Sequence, residues 1–161
     1  MTTDAPSLSG NQKRKMRAAS RLYAVQALFQ MEHSDQDVDS VYREFLDHRF
    51  GAEVDEGREM IDGDVDLFRL VLDRAVDRQR PIDQMTDRAL VAKWPIARID
   101  PTLRALFRAA GAELMGEETP PRVVITEYVE LAGSFFPEGK EASFVNAVLD
   151  HMARDARPEA F

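Results

Sequence analysis

The chain has 161 residues, 44% hydrophobic and 31% charged, which is the balance of a soluble globular protein with enough length to close a core of its own. It contains no cysteine, which excludes disulfides, thiolate nucleophiles and cysteine-held metals. The net charge of −8 argues against indiscriminate binding of polyanions. No apolar run approaches the roughly 20 residues of a membrane span, so a cytoplasmic protein without membrane contact is expected.

The charge is unevenly spread. Residues 1–31 hold Lys13, Arg14, Lys15, Arg17 and Arg21 against Asp4 alone, whereas residues 32–66 carry thirteen acids against Arg43, Arg49 and Arg58. A basic pole on an acidic body confines any polyanion to one place. Residues 1–11 lack periodicity and are expected to be a disordered tail. From about Gln12 to about Glu32 a helix is predicted, with Ala18, Leu22, Val25, Leu28 and Phe29 on one face. At 3.6 residues per turn Arg14, Arg17 and Arg21 fall in one narrow arc beside that stripe. Basic first turns and apolar last turns predict a helix rooted in the core at its C-terminal half.

Val41, Tyr42, Phe45 and Leu46 predict a second helix from Val38 to about His48, and the acidic, glycine-rich run from Arg49 to Asp64 reads as a loop. A third helix, Val65 to Gln79, turns Phe68, Val71, Leu72, Ala75 and Val76 inward, with Arg80 and Pro81 as its break. Ile82, Met85, Ala89 and Leu90 define a fourth, to about Ala92, followed by the connector Lys93, Trp94 and Pro95. Asp100 is the expected N-cap of a fifth, with Pro101 at its first position, through Leu103, Leu106, Phe107 and Ala110 to about Met115. Thr119 reads as the cap of a sixth, entered at Pro120 and Pro121 and stopped by Phe136, Pro137, Glu138 and Gly139. A seventh buries Val145, Val148, Leu149 and Met152, and residues 156–161 are expected to fray. No segment reads as a strand. The class is all-α, about seven helices in two packed clusters, as one domain over residues 12–155.

Active-site patterns are missing for stated reasons. There is no GxxxxGK[ST] or GxGxxG loop to cradle a phosphate, and His33, His48 and His151 lack the i, i+4 spacing with glutamate of a helical zinc site. No metal, cofactor or catalytic residue is expected. Glu127 and Glu130 lie at i, i+3 as an acid/base pair would, but with no histidine or metal motif beside them they read first as a solvated or partner-facing edge. The basic run is more informative, because those side chains would neutralise several phosphates.

Four patterns then point to a family. VxITEYVELAGSF from Val123 to Phe136, FVNAVLD from Phe144 to Asp150, RLYAVQALFQ from Arg21 to Gln30 and RALFRAAGAEL from Arg104 to Leu114 resemble, in order, signatures of the bacterial transcription antitermination factor NusB. The resemblance covers roughly residues 13–154. It implies two packed three-helix bundles with the first helix shared between them or joining them. It also implies binding of boxA, a short single-stranded element in ribosomal RNA leader transcripts, together with NusE, a ribosomal small-subunit protein, in the RNA polymerase antitermination complex.

Carried over by motif, the RNA contacts are Lys13, Arg14, Lys15, Arg17 and Arg21, with Lys140 and Phe144 near the last helix. An exposed ring at Phe144 could stack an unpaired base, although its spacing from Val148 equally suits a core residue. The implied NusE contacts are Ala97, Arg98, Asp100, Leu103 and Arg104, with Pro121 and Arg122. The sequence departs from the family at Leu103, where an acid is usual, at Pro121, where a tyrosine can occur, and at Tyr128 and Gly133, which replace an alanine and a lysine. Homodimers occur in the family. A NusB-like domain preceding an RNA methyltransferase, which would need a strand-rich domain beyond Phe161, and a protein-only helical adaptor are the alternative readings.

Overall fold

In the computed structural model, which describes residues 9–50, 53–54, 58–59, 63–90, 98–139 and 141–161, seven helices carry the fold. They are α1 (Gly10–Glu32), α2 (Val38–His48), α3 (Val65–Asp77), α4 (Gln79–Ala89), α5 (Pro101–Leu114), α6 (Pro121–Phe135) and α7 (Glu141–Ala156). A two-residue antiparallel ladder, β1 (Glu53–Val54) with β2 (Arg58–Glu59), lies in the acidic loop, where no strand was expected. Residues 1–8, the connector Lys93, Trp94 and Pro95, and the helix end expected at Ala92 lie outside the described residues.

The caps explain most boundaries. Ser9 and Gln12 form a reciprocal capping box, so α1 starts two residues before its expected start. Asp37, Asp64 and Asp100 accept from the first-turn N–H groups of α2, α3 and α5. Two expectations are corrected. Pro81 does not end a helix but sits in the first turn of α4, where a missing N–H costs nothing. Pro120, not Thr119, occupies the N-cap of α6, and the Thr119 hydroxyl turns inward to the Glu113 carboxylate at 3.1 Å.

The helices form an all-α pair of bundles, α1 to α3 and α4 to α7, over one continuous core. The element between them is α5, which packs on α1 and α3 on one side and on α4, α6 and α7 on the other. Its small residues Ala105, Ala109, Ala110 and Ala112 are buried and let neighbouring backbones approach. In the first bundle Tyr23, Phe45, Phe50 and Phe68 form an aromatic cluster with ring centroids 4.8–6.4 Å apart.

Ion pairs tie the periphery. Arg74 of α3 grips Glu118 through both terminal nitrogens, at 2.8 and 2.9 Å, and donates to the Ala112 carbonyl. That hydrogen-bonded guanidinium holds the Glu118 carboxyl down at about 2. Its contribution to stability is therefore complete above the ordinary carboxylate range and is lost as pH falls through about 2. Residues 156–161, expected to fray, begin at a buried anchor and end exposed. Arg157 is buried and donates to the carbonyls of Leu114 and Glu113 at the C-terminus of α5, before a 3-10 turn at Pro158–Ala160.

Gly111 sets how closely α4 approaches α5. A Cβ there would stand 2.5 Å from Ile82 Cγ2 and 3.4 Å from the Met152 methyl. Gly111→Ala is expected to lower unfolding free energy by about 1–3 kcal/mol in chemical denaturation despite its better helix propensity. The effect should be non-additive with Ile82→Ala, which removes the obstructing methyl.

Candidate RNA and partner surfaces

The two ends of α1 have opposite environments. From Ala19 to Leu28 the helix is largely buried, by α2, α3, α5 and α6, before its last turn opens again at Phe29. Before Ala19 it emerges, and Lys13, Arg14, Lys15 and Arg17 are exposed. Among the described residues none of these four makes an ion pair, whereas Arg69, Arg74, Arg88, Arg104, Arg108 and Arg154 are each neutralised by a carboxylate of the same chain. Arg43, Arg78, Arg80, Arg98 and Arg122 are also exposed and make no ion pair among the described residues, but they are spread over several elements, whereas Lys13, Arg14, Lys15 and Arg17 stand together in the first turns of one helix.

Arg21 is corrected from that set. It lies on the arc of Arg14 and Arg17 but is 2% exposed, with Nε and Nη2 donating to Glu113 at 2.8 and 3.0 Å. The Tyr128 hydroxyl donates to the same carboxylate at 2.6 Å. Burial alone would lower the Arg21 pKa, but the hydrogen bond and charge of Glu113 outweigh it and hold the guanidinium charged. Burial and the Glu113 charge push the Tyr128 hydroxyl well above its ordinary value, so it remains a donor. A phosphate could reach Arg21 only by breaking this pair.

The other expected RNA contacts divide. Lys140 lies outside the described residues. Phe144 is half-buried, its ring edge-on to Phe107 with centroids 6.2 Å apart, and so packs against the core while keeping one side accessible.

The expected partner residues divide as well. Arg98, Asp100 and Arg122 are exposed. Leu103 and Pro121 are buried and are corrected to core positions. Arg104 is held by Glu32 of α1, whose pKa this hydrogen bond lowers, and Arg108 bridges Glu32 to Asp83 of α4, so Arg104 is committed within the chain. Ala97 lies outside the described residues.

Two surface cavities were not anticipated. One, of about 490 Å³, opens between the C-terminal half of α1, the end of α2 and the facing ends of α5 and α6, and is lined by Val25, Phe29, His33, Phe45, Thr102 and Phe135 among others. The Phe29 ring is 37% exposed and stacks on His33 at 4.3 Å, and the Gln26 Oε1 at this cavity has no hydrogen-bond partner among the described residues. The second, of about 430 Å³, runs between the first half of α1 and α6. Neither could be read from a single helix, because each is assembled from segments distant in the chain.

A sequence model of the NusB family matches residues 18–154. The chain belongs to the NusB family. It is 43% identical over 162 residues to the transcription antitermination protein NusB of Maricaulis maris, covering the whole of both chains. Against the NusB of Caulobacter vibrioides it is 47% identical over 151 residues, covering 93% of this chain and 99% of the relative. A solved NusB from T. maritima matches with a TM-score of 0.70 at 26% identity, over 90% of this chain and 96% of that one. The NusB in a crystal structure of antitermination factors NusB and NusE with dsRNA shares the fold, with a TM-score of 0.69 at 21% identity over 88% and 98% of the two chains. The NusB fold here includes a buried phenol at Tyr128 that joins α6 to the Arg21–Glu113 pair.

Glu113→Ala is expected to cost about 3–5 kcal/mol, because it strands the buried Arg21 charge. Tyr128→Phe is expected to cost about 1–3 kcal/mol, the loss of one hydrogen bond to a charged group. Urea denaturation followed by circular dichroism measures both, and a cost for Glu113→Ala no larger than that of an exposed substitution would contradict a desolvated pair.

Proposed function

We propose that this protein is a non-enzymatic transcription antitermination factor that binds a boxA-type single strand of ribosomal RNA leader transcripts together with NusE, within an RNA polymerase antitermination complex. The observation that carries the RNA half is the set of unpaired, exposed cations Lys13, Arg14, Lys15 and Arg17, on a helix whose other end is locked in the core. Such cations hold a flexible strand through its phosphates, and the acidic remainder of the surface repels it elsewhere. Lys140 and the accessible side of Phe144 belong to the same proposed RNA surface.

The partner half rests on the apolar cavity around Phe29, Val25 and Phe135, bordered by Thr102 of α5 just after the exposed Arg98 and Asp100. An aromatic residue over an apolar hollow with a charged rim suits a protein anchor. A net charge of −8 favours a basic partner, as a ribosomal protein commonly is. With both bound, each shares the cost of ordering the strand, so RNA affinity should rise when NusE is present.

The test is a salt titration of binding to a boxA RNA with and without NusE. Four phosphate contacts on a single strand give an expected slope of about −3 in log affinity against log salt. Replacing Lys13, Arg14, Lys15 and Arg17 with glutamate should abolish RNA binding at unchanged helicity, and Phe29→Glu should remove the NusE enhancement alone. A flat salt response in the wild type, or equal RNA affinity with and without NusE, would count against this reading.

A further inference from the structure

The groove between α1 and α6 combines features that a phosphate-binding surface does not need. Ala18, Ala19 and Leu22 of α1 and Leu131 of α6 give it apolar walls, and Lys15 stands on the α1 side. On the α6 side stand Glu127 and Glu130. Neither carboxylate has an ion-pair or side-chain hydrogen-bond partner among the described residues, although Lys15 lines the same groove. The two walls are fixed relative to each other. Tyr128, next to Glu127, is hydrogen-bonded to Glu113, which also holds Arg21 of α1.

Resting on the RNA reading above, we infer that this groove is a base-selective subsite: it takes one unstacked nucleobase bearing an exocyclic amine, with Glu127 and Glu130 accepting its N–H groups. Carboxylates repel phosphate, so the backbone is left to the basic turns of α1 and only an uncharged part of the strand can enter. Apolar walls cover the faces of a splayed base, and single-stranded RNA is read on the base edges so exposed. Carboxylates only accept, so they favour amine-bearing adenine, cytosine and guanine over uracil, whose edge carries two carbonyl oxygens and one N–H. Lys15 belongs to both surfaces and places a phosphate at the mouth of the groove. The volume of about 430 Å³ is within the range of pockets that bind small molecules.

The experiment compares binding of short oligo(A), oligo(C) and oligo(U) RNAs by fluorescence anisotropy at one fixed salt concentration, for the wild-type chain and the double variant Glu127→Ala/Glu130→Ala. The wild type is expected to bind oligo(A) or oligo(C) at least about fivefold tighter than oligo(U), the lower range of a specific base contact. In the double variant that preference should collapse towards unity, while oligo(U) binding holds or strengthens because two negative charges are gone. A folding defect would weaken all three together. Circular dichroism confirms helicity, and Glu127→Gln/Glu130→Gln, which keeps size but adds amide donors, should shift the preference towards oligo(U). Equal wild-type binding to all three RNAs, or a preference that survives in the double variant, overturns the subsite and leaves the RNA reading standing. Loss of NusE binding with base preference unchanged assigns the groove to protein instead and also overturns it. No salt-dependent binding of any RNA overturns both.

Discussion

The buried pair of Arg21 and Glu113 is the constraint on which the rest of the arrangement depends. Two charges have been taken from water into the junction of α1, α5 and α6, and they persist there because the carboxylate is fully supplied with donors. Arg21 gives two, Tyr128 one and Thr119 one, so both side chains and the turn leading into α6 converge on a single group. A pair of this kind adds little net stability over a hydrophobic substitute, but only one relative placement of the helices satisfies it. Arg157 reinforces the same place from the other side by taking the final carbonyls of α5.

That lock gives α1 its division of labour. Between Ala19 and Leu28 the helix is largely core, and before it the basic turns stand clear of an acidic body. Elsewhere Arg69, Arg74, Arg88, Arg104, Arg108 and Arg154 are committed to carboxylates of the same chain, with Arg74, Arg104 and Arg108 also stitching helices together. A dense group of available positive charge is therefore set by the projection of one helix end, while six other arginines are neutralised within the chain and the remaining exposed ones are dispersed. The groove beside α6 and the hollow around Phe29 lie at different positions along α1, so the proposed RNA and protein surfaces need not share residues.

Local chemistry made much of the fold legible in advance. Helix α2 begins and ends where its apolar spacing places it, and the Asp100–Pro101 start of α5 was readable from its cap and first-turn proline. The failures have long-range causes. Arg21 shares an arc with Arg14 and Arg17, and only Glu113, 92 residues away, distinguishes a core arginine from a surface one. Thr119 looks like a cap until the same carboxylate claims its hydroxyl, and Leu103 and Pro121 were placed on a surface that packing had already covered. Glu127 and Glu130 were visible as a pair, but their meaning depends on the α1 wall opposite, which no local pattern encodes.

The proposed division of α1 into a locked half and an RNA-facing half is tested most directly by proton–nitrogen NMR that follows the Arg21 Nε–H signal and the backbone amides of residues 13–17 while boxA RNA is added. The amides of residues 13–17 should shift or broaden with RNA, while Arg21 Nε–H remains slow to exchange and unmoved, as befits a proton sealed against Glu113. An Arg21 Nε–H that exchanges rapidly with solvent, or that shifts with RNA as strongly as the basic turns do, would contradict it.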